Sequence, residues 1–176
     1  VPHIDLGNDL PGLPSLLAYA PETAGPLRAL AEALLRGPGP LSLGERELIA
    51  AHVSELNECR FCASSHGACA IEQLDDGADV LARVRADPDT APITPRLRAL
   101  LRLAEAVRES GHTVTPETID AARAAGATDR EIHDTVLIAA AFCMFNRYVD
   151  GLATQTPTDD RAYTTMARAL ITNGYT

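Results

Sequence analysis

The chain contains no lysine. Its fifteen basic side chains are all arginines, scattered among twenty-four acids, giving a net charge of −9 and an isoelectric point near 4.9. Phosphate backbones are held by clustered Lys and Arg, so this balance argues against nucleic acid as a partner. Long apolar runs are also missing. The longest, Val136 to Phe145, covers ten residues, about half of the roughly 20 that span a bilayer. Residues 1–20 have neither a basic start nor a continuous apolar stretch, the pattern expected of a cytoplasmic chain with no membrane segment. Four cysteines in 176 residues are too few for a disulfide-stapled secreted scaffold. No strand pattern, low-complexity tract or internal repeat is visible.

What remains is helical, and the expected fold class is all-α. Residues 1–20 carry Pro2, Pro11, Gly12 and Pro14 and read as an extended N-terminal arm. Its Ile4, Leu6, Leu10, Leu13, Leu16 and Leu17 would pack on the body or on a neighbouring subunit. Residues 21–176 read as a single helical domain. Leu27, Leu30, Leu34 and Leu35 mark a helix over 22–36 that Gly37-Pro-Gly-Pro40 stops. Ser42 and Glu45 have capping-box spacing and open a helix to about Leu56. After a break at Asn57-Glu58, another helix runs from about Cys59 to Gln73, with a short one near 80–85. Thr94-Pro95 and Thr115-Pro116 each pair an N-cap with proline at the first helical position. Thr128 and Glu131 repeat the capping box before the apolar run, whose helix, apolar on every side, is expected to be central. A last helix is expected over 159–173.

The chemistry concentrates between Glu47 and His66. Cys59, Cys62, His66 and Cys69 follow a 3-4-3 spacing and share one face of an ideal helix. A Cys₃His zinc site does not fit this stripe. Cys59 and Cys69 would lie about 15 Å apart along the axis, whereas zinc sits about 2.3 Å from each sulfur. No second Cys-x-x-Cys or His pair supplies ligands from elsewhere, so neither metal nor organic cofactor is expected. Thiol redox chemistry suits the same residues. Cys59 at a helix start would be favoured as thiolate by unpaired N–H groups and the dipole. Cys62, one turn on, could close a disulfide with it, and His66 at i+4 from Cys62 could move protons. The bland alternative is chance placement on a buried face.

Glu47 lies one helix earlier, on a face with Ala50, Ala51 and Ser54, small enough for the thiol helix to approach. Facing His66, it would orient the imidazole and raise its basicity. It could equally be a first-turn acid favouring the dipole, with Glu45 and Arg46 as solvated neighbours. Cys143 and Cys69 read as core cysteines, and His52, His112 and His133 have no partner pattern. Asn146-Arg147-x-x-Asp150 reads as an ion-pair or capping cluster without a catalytic role.

Glu47 followed by Cys59-Arg-Phe-Cys62-Ala-Ser-Ser-His66 resembles the signature of the alkylhydroperoxidase D-like (AhpD-like), carboxymuconolactone decarboxylase superfamily, in particular its peroxidase-related branch. Ala141-Phe-Cys-Met-Phe-Asn-Arg-Tyr-Val-Asp150-Gly-Leu is similar to that branch's C-terminal half, so the likeness runs from about residue 10 to 155. The resemblance implies an AhpD-like helical bundle that assembles into homo-oligomers, often trimers or hexamers. It also implies a hydroperoxide substrate and a dithiol reductant, either a protein or a small thiol. By position, Cys62 would attack the peroxide, Cys59 would be the resolving and more exposed thiol, and His66 with Glu47 would relay protons. Phe61 departs from the pattern, since the peroxidase proper has a second histidine there. Two other functions stay open: a decarboxylase-like lyase using Glu47 and His66 as acid and base, and a non-enzymatic redox-responsive oligomer.

Overall fold

The computed structural model describes residues 1–175, and among these the regular structure is helical throughout: α1 Gly12–Tyr19, α2 Pro21–Arg36, α3 Leu43–Leu56, α4 Arg60–Gln73, α5 Gly77–Ala86, α6 Pro95–Glu109, α7 Pro116–Ala124, α8 Asp129–Gly151 and α9 Asp160–Asn173. A single 3₁₀ turn, Gly111–Thr113, joins α6 to α7. The start signals act as expected. Ser42 and Thr128 each accept from the backbone N–H three residues on, while Glu45 and Glu131 return a carboxylate to the cap backbone. Thr94 and Thr115 cap α6 and α7 ahead of their prolines.

Two expectations change. The first twenty residues are not wholly extended, because α1 occupies Gly12–Tyr19. Pro14 falls in its first turn, where the missing N–H has no intrahelical acceptor to lose. Gly12 takes φ +54, and a Cβ there would meet the Phe61 ring at 2.3 Å. The arm packs on its own body. His3 N–H donates to Leu152 O at 3.0 Å, Gly12 N–H to Gln155 O at 2.9 Å, and Leu6 is buried beside the thiols.

The second change concerns which helix is central. From Arg46 to Ser54 every residue of α3 is buried. It packs against α4, α6 and α8, so α3 is the axis of the bundle. Leu48, Ile49 and Val53 meet Leu100, Leu101, Ile138 and Phe142 in the main core. In contrast α8 buries one side and leaves an apolar stripe open: Leu137 and Met144 are each 42% exposed, with Ala140 between them. Arg46 is not solvated either. Its guanidinium is buried and donates to Leu41 O (3.0 Å) and Gly37 O (2.6 Å), pinning the turn before α3.

Candidate thiol site

The thiols sit where the α3–α4 turn ends. Asn57 N–H still bonds back to Val53 O, Glu58 takes φ +58, and Cys59 becomes the N-cap residue of α4. That sharp return lays α4 antiparallel along α3 and brings Glu47 opposite His66. His66 Nδ1–H donates to Glu47 Oε2 at 2.7 Å. The Glu47 carboxylate is 2% exposed, so this is an interior pair, not a first-turn acid in solvent. Phe142 of α8 packs edge-on against the imidazole with ring centroids 4.5 Å apart.

Both cysteines of the pair are free and buried. Cys59 is 0% and Cys62 3% exposed, so within one chain Cys59 is not the more accessible thiol that the resemblance implies. Nor does Cys59 carry the thiolate as the helix start would suggest. The neighbouring Cys62 thiol first, then deep burial, push its pKa far up. Cys62 moves the other way. The hydrogen bond from Cys59 lowers it most, against the cost of burial, and the His66 charge and a contact with Asn146 lower it further. The His66 pKa is raised. Burial alone would lower it, but the Glu47 charge and hydrogen bond, with help from Cys62, outweigh that. His66 makes no hydrogen bond to Cys62 among the described residues, so the two are coupled through charge.

Three members of the site were not apparent in the sequence. Tyr175 O–H donates to Glu47 Oε1 at 2.7 Å, and its ring stacks on His66 with a centroid separation of 6.1 Å and an interplanar angle of 14°. Asn146 is buried, donates to Ser54 Oγ at 3.0 Å and accepts from Asn57 Nδ2 at 2.9 Å, a polar chain running behind Cys62. Asp150, one turn further along α8, faces both thiols and raises each. The expected Arg147–Asp150 ion pair does not form among the described residues; Asn146 instead turns inward to the thiol site. Elsewhere, His52 has a partner after all, Glu105 at 2.9 Å, and His133 pairs with Asp134 at 2.9 Å. Cys69 and Cys143 are buried as expected, and burial first, then the Glu47 charge, pushes the Cys69 thiol up.

Two openings flank α4 beside the site, one at His66 and one at Cys59. A largely apolar cavity of about 390 Å³ lies between α1, α2, α4 and α9, with Leu13, Leu17, Leu27, Phe61, Met166 and Leu170 as walls and Arg28, Ser65, His66 and Tyr175 as its polar lining. On another face of α4, Glu55, Glu58, Arg60, Ser64 and Arg85 surround a polar depression that reaches Cys59. No cluster of three or more His, Cys, Asp or Glu side chains suited to a metal ion occurs among the described residues. No described helix is long and apolar enough to cross a membrane.

The model of the carboxymuconolactone decarboxylase family matches residues 21–106, which include Glu47, both cysteines of the pair and His66. Over that span, just under half of the chain, the sequence is similar to the carboxymuconolactone decarboxylase family. No curated protein matches the sequence. Among solved structures, an uncharacterized peroxidase-related protein from Ralstonia eutropha JMP134, described as an alkylhydroperoxidase AhpD core, is 29% identical with a TM-score of 0.78, over 90% of this chain and 82% of that one. A peroxidase-related protein from Silicibacter sp. TM1040 is 26% identical with a TM-score of 0.78, over 90% and 81%. A protein of unknown function from Agrobacterium tumefaciens, provisionally named as the antioxidant defence protein AhpD, shares the fold at 23% identity and a TM-score of 0.70, over 82% and 97%. The fold is therefore AhpD-like. Beyond residue 106 the chain's likeness to those proteins rests on the structural matches.

Proposed function

We propose that this protein is a thiol-dependent peroxidase that uses Cys62 and Cys59 in turn, without metal or organic cofactor. The observation that carries the reading is the placement of two free, buried thiols one helical turn apart beside a buried His66–Glu47 pair held at 2.7 Å. The thiolate of Cys62 attacks the distal oxygen of a hydroperoxide. The O–O bond breaks, the alkoxide takes a proton delivered through His66, and Cys62 becomes a sulfenic acid. The Cys59 thiol then attacks that sulfur, releasing water and closing the Cys59–Cys62 disulfide. An external dithiol, protein or small molecule, returns both thiols and is itself oxidised.

The apolar cavity against Phe61 and His66 suits a hydroperoxide with an organic tail. The polar depression at Cys59 gives a reductant a separate approach to the disulfide. The Glu47–His66 pair also offers acid–base chemistry to a lyase, but the paired thiols beside it would serve no purpose there. The test is a Cys59→Ser variant treated with hydroperoxide and a sulfenic-acid trap. A trapped adduct on Cys62, with peroxide consumption limited to one equivalent, is the expected result. No adduct, or turnover indifferent to both cysteines, would rule the reading out in favour of the lyase.

A further inference from the structure

We propose that Tyr175 is a positioning residue of the thiol site, its phenol holding the Glu47 carboxylate in place through the oxygen that His66 does not use. The proposal deepens the peroxidase reading, but its geometry does not depend on which substrate is consumed. Four contacts fix the residue. Its O–H donates to Glu47 Oε1 at 2.7 Å, the same phenolic oxygen lies 3.5 Å from His66 Nδ1, its backbone N–H donates to Glu32 Oε2 of α2 at 2.7 Å, and its ring lies nearly parallel to the His66 imidazole. Gly174 takes φ +81 just before it, turning the chain off the end of α9 and back over α4.

The carboxylate thus has two donors, one on each oxygen, and is almost fully out of water. A buried carboxylate stays ionised when donors satisfy both oxygens and tends to take up a proton when one is left bare. Removing the phenolic O–H therefore weakens the Glu47–His66 ion pair. His66 then carries less positive charge, and Cys62 loses part of what stabilises its thiolate. The effect passes through Glu47 and His66, both of which the phenol contacts, to the Cys62 sulfur.

Other charged groups bear on the cluster. Glu32 and Arg36 face it from α2, where Arg28 also lines the cavity shared with His66 and Tyr175; Cys69 and Glu72 face it from α4, while Asp150 of α8 opposes the Cys62 thiolate. On the α9 side, Met166 and Leu170 line the cavity shared with Tyr175 and add no charge. None of these donates to Glu47 among the described residues, so the phenol has no substitute.

The test reads the alkylation rate of Cys62 as a function of pH, with the site resolved by mass spectrometry and no peroxide present. In Tyr175→Phe, which keeps the ring and loses the hydroxyl, the midpoint is expected to rise by about one pH unit, a roughly tenfold slower rate well below it. Glu32→Ala frees the backbone anchor while leaving every group of the relay, and should shift the midpoint the same way by less. Its curve carries the test if circular dichroism shows Tyr175→Phe unfolded. A curve superimposable on wild type, or a midpoint that falls, overturns the proposal. A shifted curve in a protein that never consumes hydroperoxide would retain the role of Tyr175 and remove the peroxidase reading.

Discussion

His66 and Cys62 stabilise each other's charge, and Glu47 acts on the pair through His66. The imidazole keeps its proton to higher pH than usual because a buried carboxylate faces it, and that positive charge helps hold Cys62 as thiolate. The sign of the pH dependence follows. Cys62 reacts only when deprotonated, and its folded pKa lies below the ordinary thiol value of 9.0. The acid limb of its reactivity therefore sits at lower pH than for a free cysteine, with the rate falling as pH drops through that lowered value. Glu47→Gln removes the charge but keeps the shape. The limb is expected to move to higher pH, and alkylation or peroxide reaction on its acid side slows about tenfold for every pH unit it moves. A profile unchanged in Glu47→Gln would mean that the Cys59 hydrogen bond alone tunes Cys62.

At the scale of elements, the helices that present the site are locked at their starts. Glu45 and Glu131 each close a capping box, and Arg96 at the start of α6 reaches both carboxylates. One guanidinium thus ties together the first turns of α3, α6 and α8. Arg96→Ala leaves Glu131, which is buried, without its counter-ion, and is expected to cost about 2 kcal/mol. That corresponds to a fall in melting temperature of about 4–8 °C for a domain of this size. Scanning calorimetry checks it, and a change under about 1 °C would show that the bridge contributes nothing.

These starts were legible in the sequence because caps are local: Ser42 with Glu45, Thr94 with Pro95 and Thr128 with Glu131 state their geometry within four residues. The Glu47–His66 register was legible for the same kind of reason, since a short turn between two helices leaves few ways to align them. α1 was hidden because Pro11 and Pro14 look like breakers until their places, at the N-cap and in the first turn, are known. The exposed stripe on α8 was hidden because an apolar run does not say which side lacks a neighbour. Tyr175 lies 128 residues from Glu47 in sequence, and no local pattern connects them. Asn146 sits among apolar residues in a segment that could be read as a cap, and only the packing of α8 on α3 turns it toward the thiols.

For the whole molecule, the open stripe Leu137, Ala140 and Met144 on α8 matters most. A net charge of −9 disperses copies of the chain, so a contiguous apolar stripe on a long helix supports assembly through that face. We propose a homo-oligomer, a trimer or hexamer, in which α8 contributes to the contact. The double substitution Leu137→Glu, Met144→Glu is expected to lower the mass seen by sedimentation velocity while leaving the helical content intact. An unchanged mass would place the interface on another face.

The central claim is that Cys62 and Cys59 act as a redox pair. It is tested most directly by adding one equivalent of hydroperoxide to the fully reduced protein and mapping disulfides by mass spectrometry, with Cys62→Ser in parallel. The expected result is a Cys59–Cys62 bond formed in step with peroxide loss in the wild type, and neither in the variant. Peroxide loss that persists in Cys62→Ser, or wild-type protein that keeps both thiols and leaves the peroxide intact, would contradict it.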